Sequence, residues 1–215
     1  MSTSVPCTVA FVDFQGPLCA AWRQQCAALP ASVEVVHGTI LMGDWDAVVS
    51  PANSFGFMDG GIDRAYTAHF GPQVQERLQE SIRTQHYGEL LVGAAAIVPT
   101  DHPRTPYCIA APTMRVPMIL GPETVHPYLA TRAALLLVRY GTFPDGTPIA
   151  HRVQRIAFPG MGTGIGRVPL DTCARQMCCA VREVLQESPR FPSTWQEANE
   201  RHQLLYRDQV YHLQG

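Results

Sequence analysis

Apolar residues fall along this chain in two alternating rhythms: short, nearly continuous runs, and longer stretches with helical spacing. Thr8 to Phe14 (TVAFVDF) is β-branched and aromatic and predicts a strand, after which Leu18 to Leu29 carries apolar residues at helical spacing and stops at Pro30. Val33 to Val36 and Ala47 to Ser50 (AVVS) are apolar runs bounded by Gly, Asp and Pro, the pattern of strands covered on both faces. Asp63 to Ser81 reads as helix with a break at Gly71-Pro72. Glu89 to Pro99 and Tyr107 to Ala111 read as strands, His126 to Tyr140 as an Ala- and Leu-rich helix, Arg155 to Pro159 as the last strand, and Leu170 to Leu185 as an amphipathic helix. This alternation predicts an α/β fold of three layers, α/β/α, around a central mixed, mostly parallel sheet, with ligand loops at the carboxyl ends of strands.

After Glu187 the pattern changes: Ser188 to Pro192 breaks the chain before a polar helix, Trp195 to Arg207. We therefore expect one domain over residues 1–187 and a helical appendage, 188–215, packed on it. A length of 215 residues with 46% hydrophobic and 16% charged residues suits one large core and argues against a disordered chain. The net charge of -2 pulls the protein toward neither extended nucleic acid nor an anionic membrane, so any phosphate site must be local. All sixteen basic residues are Arg, which rules out a lysine nucleophile.

Seven Cys show no C-x-x-C spacing and read as buried free thiols. The N-terminus has no signal-like segment, and no run approaches the roughly 18 apolar residues of a membrane span. These features lead us to expect a soluble, cytoplasmic protein. Eight scattered His without ligand spacing give no metal site, and no cofactor is expected. His102, in a loop after a predicted strand, is either a ligand-end residue or an ordinary loop histidine.

Two Gly-rich loops follow predicted strands. In the first, Pro51 to Asp63, paired glycines Gly60-Gly61 let backbone approach a ligand and lead into a helix whose free N–H groups favour an anion. Asn53 offers donor and acceptor to a vicinal diol, and Asp63 can accept a proton from water or a sugar hydroxyl. Either residue alone is also ordinary turn or helix-start chemistry; their combination with Gly60-Gly61 points to a sugar phosphate. The second, Phe158 to Pro169 (FPGMGTGIGRVP), has four glycines in the seven residues from Gly160, a nest for a pyrophosphate, and lacks the Lys of a P-loop.

The order of PAN, GGID and FPGMGTGIGRVP resembles the macro domain family over roughly Val33 to Leu185. The family carries an NAAN-type strand end, a GGG-V-D-type loop and a P-x-x-G-T-G-type loop, binds ADP-ribose, and in many members hydrolyses ADP-ribosyl esters or related linkages. The resemblance implies that Asn53 contacts the distal ribose beside Ala52, that Gly60, Gly61 and Ile62 line its face, and that Gly162, Thr163, Gly164, Ile165 and Gly166 grip the diphosphate. Asp63 matches the acid that positions water near the anomeric carbon. Thr39 and Ile40 stand where the family often has Asp-Ile for adenine, so Thr39 brings no charge to the base. Gly60 and Gly166 replace the Lys and second Asp of the covalent glycohydrolase branch, and Gly166 also replaces an aromatic that packs on the distal ribose; Phe55 or Phe57 is either its substitute or a core or lid residue. Arg167 is either a phosphate partner or a solvated side chain.

The resulting expectation is a water-using de-ADP-ribosylating hydrolase, with Asp63 and Asn53 catalytic and ADP-ribose or an ADP-ribosylated protein or nucleotide as partner. Two alternatives remain: a non-catalytic reader of ADP-ribose, and a binder of another nucleotide or a nucleic-acid end.

Overall fold

Both faces of the sheet are covered by helices, which is why its strands are apolar without alternation. The computed structural model describes residues 8–30, 32–185 and 191–211. Strands β1 (Thr8–Asp13), β2 (Val33–His37), β3 (Ala47–Ser50), β4 (Ala96–His102), β5 (Thr105–Ala110) and β6 (Arg155–Phe158) form one sheet in the order β2-β1-β6-β3-β5-β4. Every pairing is parallel except β4 with β5.

On one face Val9, Phe11, Val49, Ile109, Ile156 and Phe158 pack against α1 (Gly16–Gln25), α4 (His126–Tyr140) and α5 (Leu170–Leu185). On the other, Ala10, Val12, Val48, Ala110 and Ala157 meet Tyr66 and Phe70 of α2 (Gly61–Phe70) and the Val74, Leu78, Ile82 stripe of α3 (Gln73–Gln85). The result is the expected three-layer α/β/α arrangement around a mixed, mostly parallel sheet.

The expected break at Gly71-Pro72 separates α2 from α3, with Gly71 at φ +97° closing α2 through a bond from its N–H to Thr67 O. The run from Glu89 is a strand only from Ala96. Gly93, at φ +96°, turns the chain, and Leu90 is apolar because it plugs the second core, not because it lies in the sheet. Proline at position 99 is tolerated because β4 is an edge strand. The same antiparallel strand carries His102 to the end of the sheet opposite the carboxyl ends of the parallel strands, where its ring lies 4.8 Å from that of His69; the ligand-end reading of His102 is therefore wrong.

The boundary expected at Glu187 lies outside the described residues, as does Cys7. Beyond it, α6 (Trp195–Gln203) is shorter than the expected Trp195 to Arg207, and the following turn is tied to α5 by Arg175, which donates to Arg207 O at 2.8 Å and pairs with Asp208 at 2.5 Å. No described helix is long and apolar enough to cross a membrane.

The thiol expectation fails at one pair. Cys26, at the C-cap of α1, and Cys178, in α5, form a disulfide with Cα atoms 5.5 Å apart, while Cys19, Cys108, Cys173 and Cys179 are free. Sequence spacing could not show this, because the two residues are 152 positions apart and meet only when α1 packs on α5. Closing so long a loop is worth about 5 kcal/mol in the chain-entropy account. Reduction is therefore expected to lower the Tm by about 10 °C. Calorimetry with and without reductant, beside Cys26→Ala/Cys178→Ala as the reductant-insensitive control, measures it.

Candidate functional site

Strands β1, β2, β3, β5 and β6 all point their carboxyl ends the same way, and the loops that leave them enclose a cavity of about 480 Å³. That volume is in the range of small-molecule sites. Thr39, Ile40, Ala52, Asn53, Gly60, Gly61, Ile62, Asp63 and the whole segment Gly162 to Gly166 lie on its wall. Phe57 lines it and is half-exposed at the rim, whereas Phe55 turns away beneath the Arg115 guanidinium, 5.1 Å from its ring centre. Arg167 is exposed and off the wall.

Asp63 is the most unusual residue here. It sits in the first turn of α2, only 7% exposed, and its Oδ1 accepts a 2.5 Å bond from the hydroxyl of Ser50, the fully buried last residue of β3. Burial lifts its pKa to about 7; the Ser50 bond works against that rise, and the nearby charge of Asp59 adds to it. Beneath it, Tyr66 donates to Val49 O at 3.1 Å, pinning α2 to β3.

Asn53 lies on the wall and also bonds to its own loop. Its Oδ1 accepts from Phe55 N at 3.1 Å and Phe57 N at 3.3 Å, and its Nδ2 donates to Phe57 O at 2.8 Å. The side chain thus folds its own loop, leaving one amide hydrogen for anything else. Outer bonds hold the same loop: Met58 N donates to Gln75 Oε1 at 2.7 Å and Thr67 Oγ1 donates to Met58 O at 2.9 Å.

Opposite the first loop, Gly160 N donates to Asp13 Oδ2 at 3.4 Å, fixing the second loop to the end of β1. A side chain at Gly166 would not fit this loop conformation, since even a Cβ would fall 2.5 Å from Gly162 O. Thr39 Oγ1 accepts from Leu41 N at 3.4 Å and caps the short turn Ile40–Met42.

Among the described residues, the backbone N–H groups of Gly60 to Asp63 and of Gly162 to Gly166 find no acceptor. The N-cap of α2 is Gly60, which brings no side-chain acceptor to the helix start. Among the described residues no Arg or His lines the cavity, and the charged ones that do are Asp13, Asp59 and Asp63. Unpaired amides and a helix N-terminus suit a phosphate, and the cavity meets an anion with backbone dipoles in place of side-chain cations. Among the described residues no cluster of three or more His, Cys, Asp or Glu could hold a metal ion.

The wall also includes residues that sequence reasoning passed over: Asp13, Phe14 and Gln15 at the β1–α1 junction, Asp59, and Thr113, Met114 and Pro117 after β5. Their common signal was available, because all of them lie at or after the carboxyl ends of parallel strands, where ligands gather in such sheets.

The macro domain family model matches residues 49–177, a span that opens just before Ser50 and ends within α5, enclosing both loops. The chain belongs to the macro domain family. A macro domain-containing protein encoded in the gbd 3' region of Cupriavidus necator is 30% identical over 83% of this chain and 96% of its own length. An uncharacterized protein of Aquifex aeolicus is 34% identical over 70% of this chain and 81% of its own. In fold, this macro domain is similar to an Oceanobacillus iheyensis macrodomain variant solved with ADPR, with TM-score 0.57 and 21% identity over 70% of this chain and 76% of that one. It is also similar to the macrodomain of Mycobacterium tuberculosis DarG, with TM-score 0.55 and 18% identity over 68% of this chain and 88% of that one.

The buried carboxyl makes stability depend on pH. Because the folded pKa of Asp63, about 7, lies above the unfolded value of about 3.9, the stabilisation by its protonated form is complete below the lower value. It is lost as pH rises through the upper one. Asp63→Asn, which keeps an oxygen for Ser50, should match wild type in Tm at pH 4. At pH 8 its unfolding free energy should exceed that of wild type by an amount on the order of 2–4 kcal/mol at most, seen as a higher Tm by calorimetry across that range.

Proposed function

We propose that this macro domain binds ADP-ribose in the cavity and hydrolyses ADP-ribosyl esters or related ADP-ribose derivatives by means of a positioned water. The observation that carries the reading is a buried carboxyl with a pKa of about 7 on the same cavity wall as the free backbone amides of Gly60 to Asp63 and Gly162 to Gly166. In this reading the diphosphate lies between the start of α2 and Gly162 to Gly166. The base rests toward Thr39 and Ile40, and the distal ribose sits over Ala52, Asn53 and Gly60 to Ile62.

Asp63 is the base. In its ionised form it takes a proton from water as the oxygen attacks the anomeric carbon, and the bond to the acceptor breaks with its electron pair leaving on the acceptor carboxylate. A base whose pKa lies near the working pH is both available and strong enough to act, and fixing water beside the sugar supplies much of the remaining advantage. Asn53 contributes by holding the loop that carries the ribose face, with one amide hydrogen left for a sugar hydroxyl. The fold similarity to a macrodomain solved with ADPR supports the ligand class.

With an ester-linked ADP-ribosyl substrate, Asp63→Ala is expected to lower kcat by about 100-fold or more while the Kd for ADP-ribose, from calorimetry, changes far less. The wild-type rate should rise with pH through about 7 as Asp63 ionises. Equal release of ADP-ribose by variant and wild type would sink the catalytic assignment. A second reading, a module that binds ADP-ribose and does no chemistry, draws on the commitment of Asn53 to its own loop; binding without any turnover in a sensitive multiple-turnover assay would select it.

A further inference from the structure

Asp59 stands in the place of the first glycine of the GGG-V-D pattern, directly before Gly60-Gly61, and lines the cavity with an exposed side chain. It lies on the wall segment that runs into α2 and Asp63, and it has no basic counterpart: the other charged groups on the wall are Asp13 and Asp63. Asp13 is already engaged, accepting from Gln15 N and Gly160 N at the β1 end. Asp59 therefore leaves an exposed, unpaired negative charge beside the place where the distal ribose and its acceptor belong, at the end of a cavity that otherwise attracts anions through backbone amides.

We propose that Asp59 sets the class of conjugate this cavity accepts: it rejects ADP-ribosyl groups that carry a phosphate on the distal ribose and admits those joined to an uncharged ester or a cationic side chain. The inference rests on the ADP-ribose reading above and deepens it. A diphosphate in the middle of the cavity is met by amides on both sides, but a further phosphate dianion at the anomeric position would face Asp59 and Asp63 with no cation to offset them. An ester adds no charge there, and a guanidinium-type acceptor would be attracted.

Asp59 also acts on Asp63. The polar or titratable groups that bear on the Asp63 carboxyl are Ser50 on β3, Cys108 on β5, Tyr66 on α2 itself and Asp59 on the preceding loop. Cys108 and Tyr66 are buried with their pKa values raised, and so stay neutral near pH 7. Asp59 is thus the one of these groups whose charge raises the Asp63 pKa, and it helps Asp63 to keep its proton. Removing its charge should move the Asp63 titration to lower pH.

The test measures ADP-ribose and ADP-ribose phosphorylated on the distal anomeric hydroxyl by calorimetry at pH 8, against wild type, Asp59→Asn and Asp59→Lys. Wild type is expected to prefer the unphosphorylated ligand. Asp59→Asn should narrow that preference by about 3- to 10-fold, and Asp59→Lys should narrow it further. Because Asp59 is exposed, 0.5 M NaCl should weaken the wild-type preference as well. In the hydrolase assay the acidic limb of the rate profile should move to lower pH in Asp59→Asn, a change that loss of loop structure alone would not produce. If all three proteins bind ADP-ribose and the preference is the same in each, the role of Asp59 is overturned while the ADP-ribose reading stands. If wild type binds neither ligand, the ADP-ribose reading falls, and this inference with it.

Discussion

The site is organised around one buried hydrogen bond, from the Ser50 hydroxyl to the Asp63 carboxyl. It joins the last residue of a central strand to the first turn of the helix that leaves the ligand loop, so the loop between them must close over ten residues of fixed span. A carboxyl in that position would ordinarily ionise, favoured by the helix dipole. Burial opposes ionisation and wins, because a single hydroxyl donor does not replace the hydration that the carboxylate loses. The fold thereby holds an acid that is half protonated near neutrality, at the cost of stability as the pH rises.

The rest of the cavity follows from the parallel sheet. Five strands deliver their carboxyl ends to one edge, and each following loop brings backbone amides there before a helix begins. Among the described residues no Arg reaches the wall and the chain has no lysine, so an anion placed there would meet backbone dipoles and no cationic side chain. The second loop also packs tightly on itself, and at Gly166 a Cβ would fall 2.5 Å from Gly162 O.

Much of this was legible in the sequence because it is local. Apolar periodicity marks strands and helices, and glycine next to a helix start marks a place where backbone must come near a ligand; both signals sit within a few residues. What was not legible depends on distance or direction. The partnership of Cys26 with Cys178 needs two helices to pack. The position of His102 follows from the strand order, since β4 runs against its neighbours. Leu90 reads as part of a strand because burial beneath a turn and burial in a sheet select the same residue types. That Asn53 also folds its own loop was hidden as well, since the bonds to Phe55 and Phe57 appear only once the loop has closed.

The two sides of the cavity are also held by different means. On the side of the second loop, α1 and α5 are covalently joined, and Asp13 ties Gly160 to the end of β1. On the side of the first loop, restraint comes from hydrogen bonds: the three made by Asn53, those from Gln75 and Thr67 to Met58, and that of Ser50 to Asp63. Hydrogen bonds can be exchanged for bonds to a ligand, whereas a disulfide and the helices it joins cannot follow so small a change. The first loop, which runs into the turn that carries Asp63, is accordingly the side held by bonds that a ligand could exchange, while the disulfide restrains the packing of α1 on α5 behind the second loop.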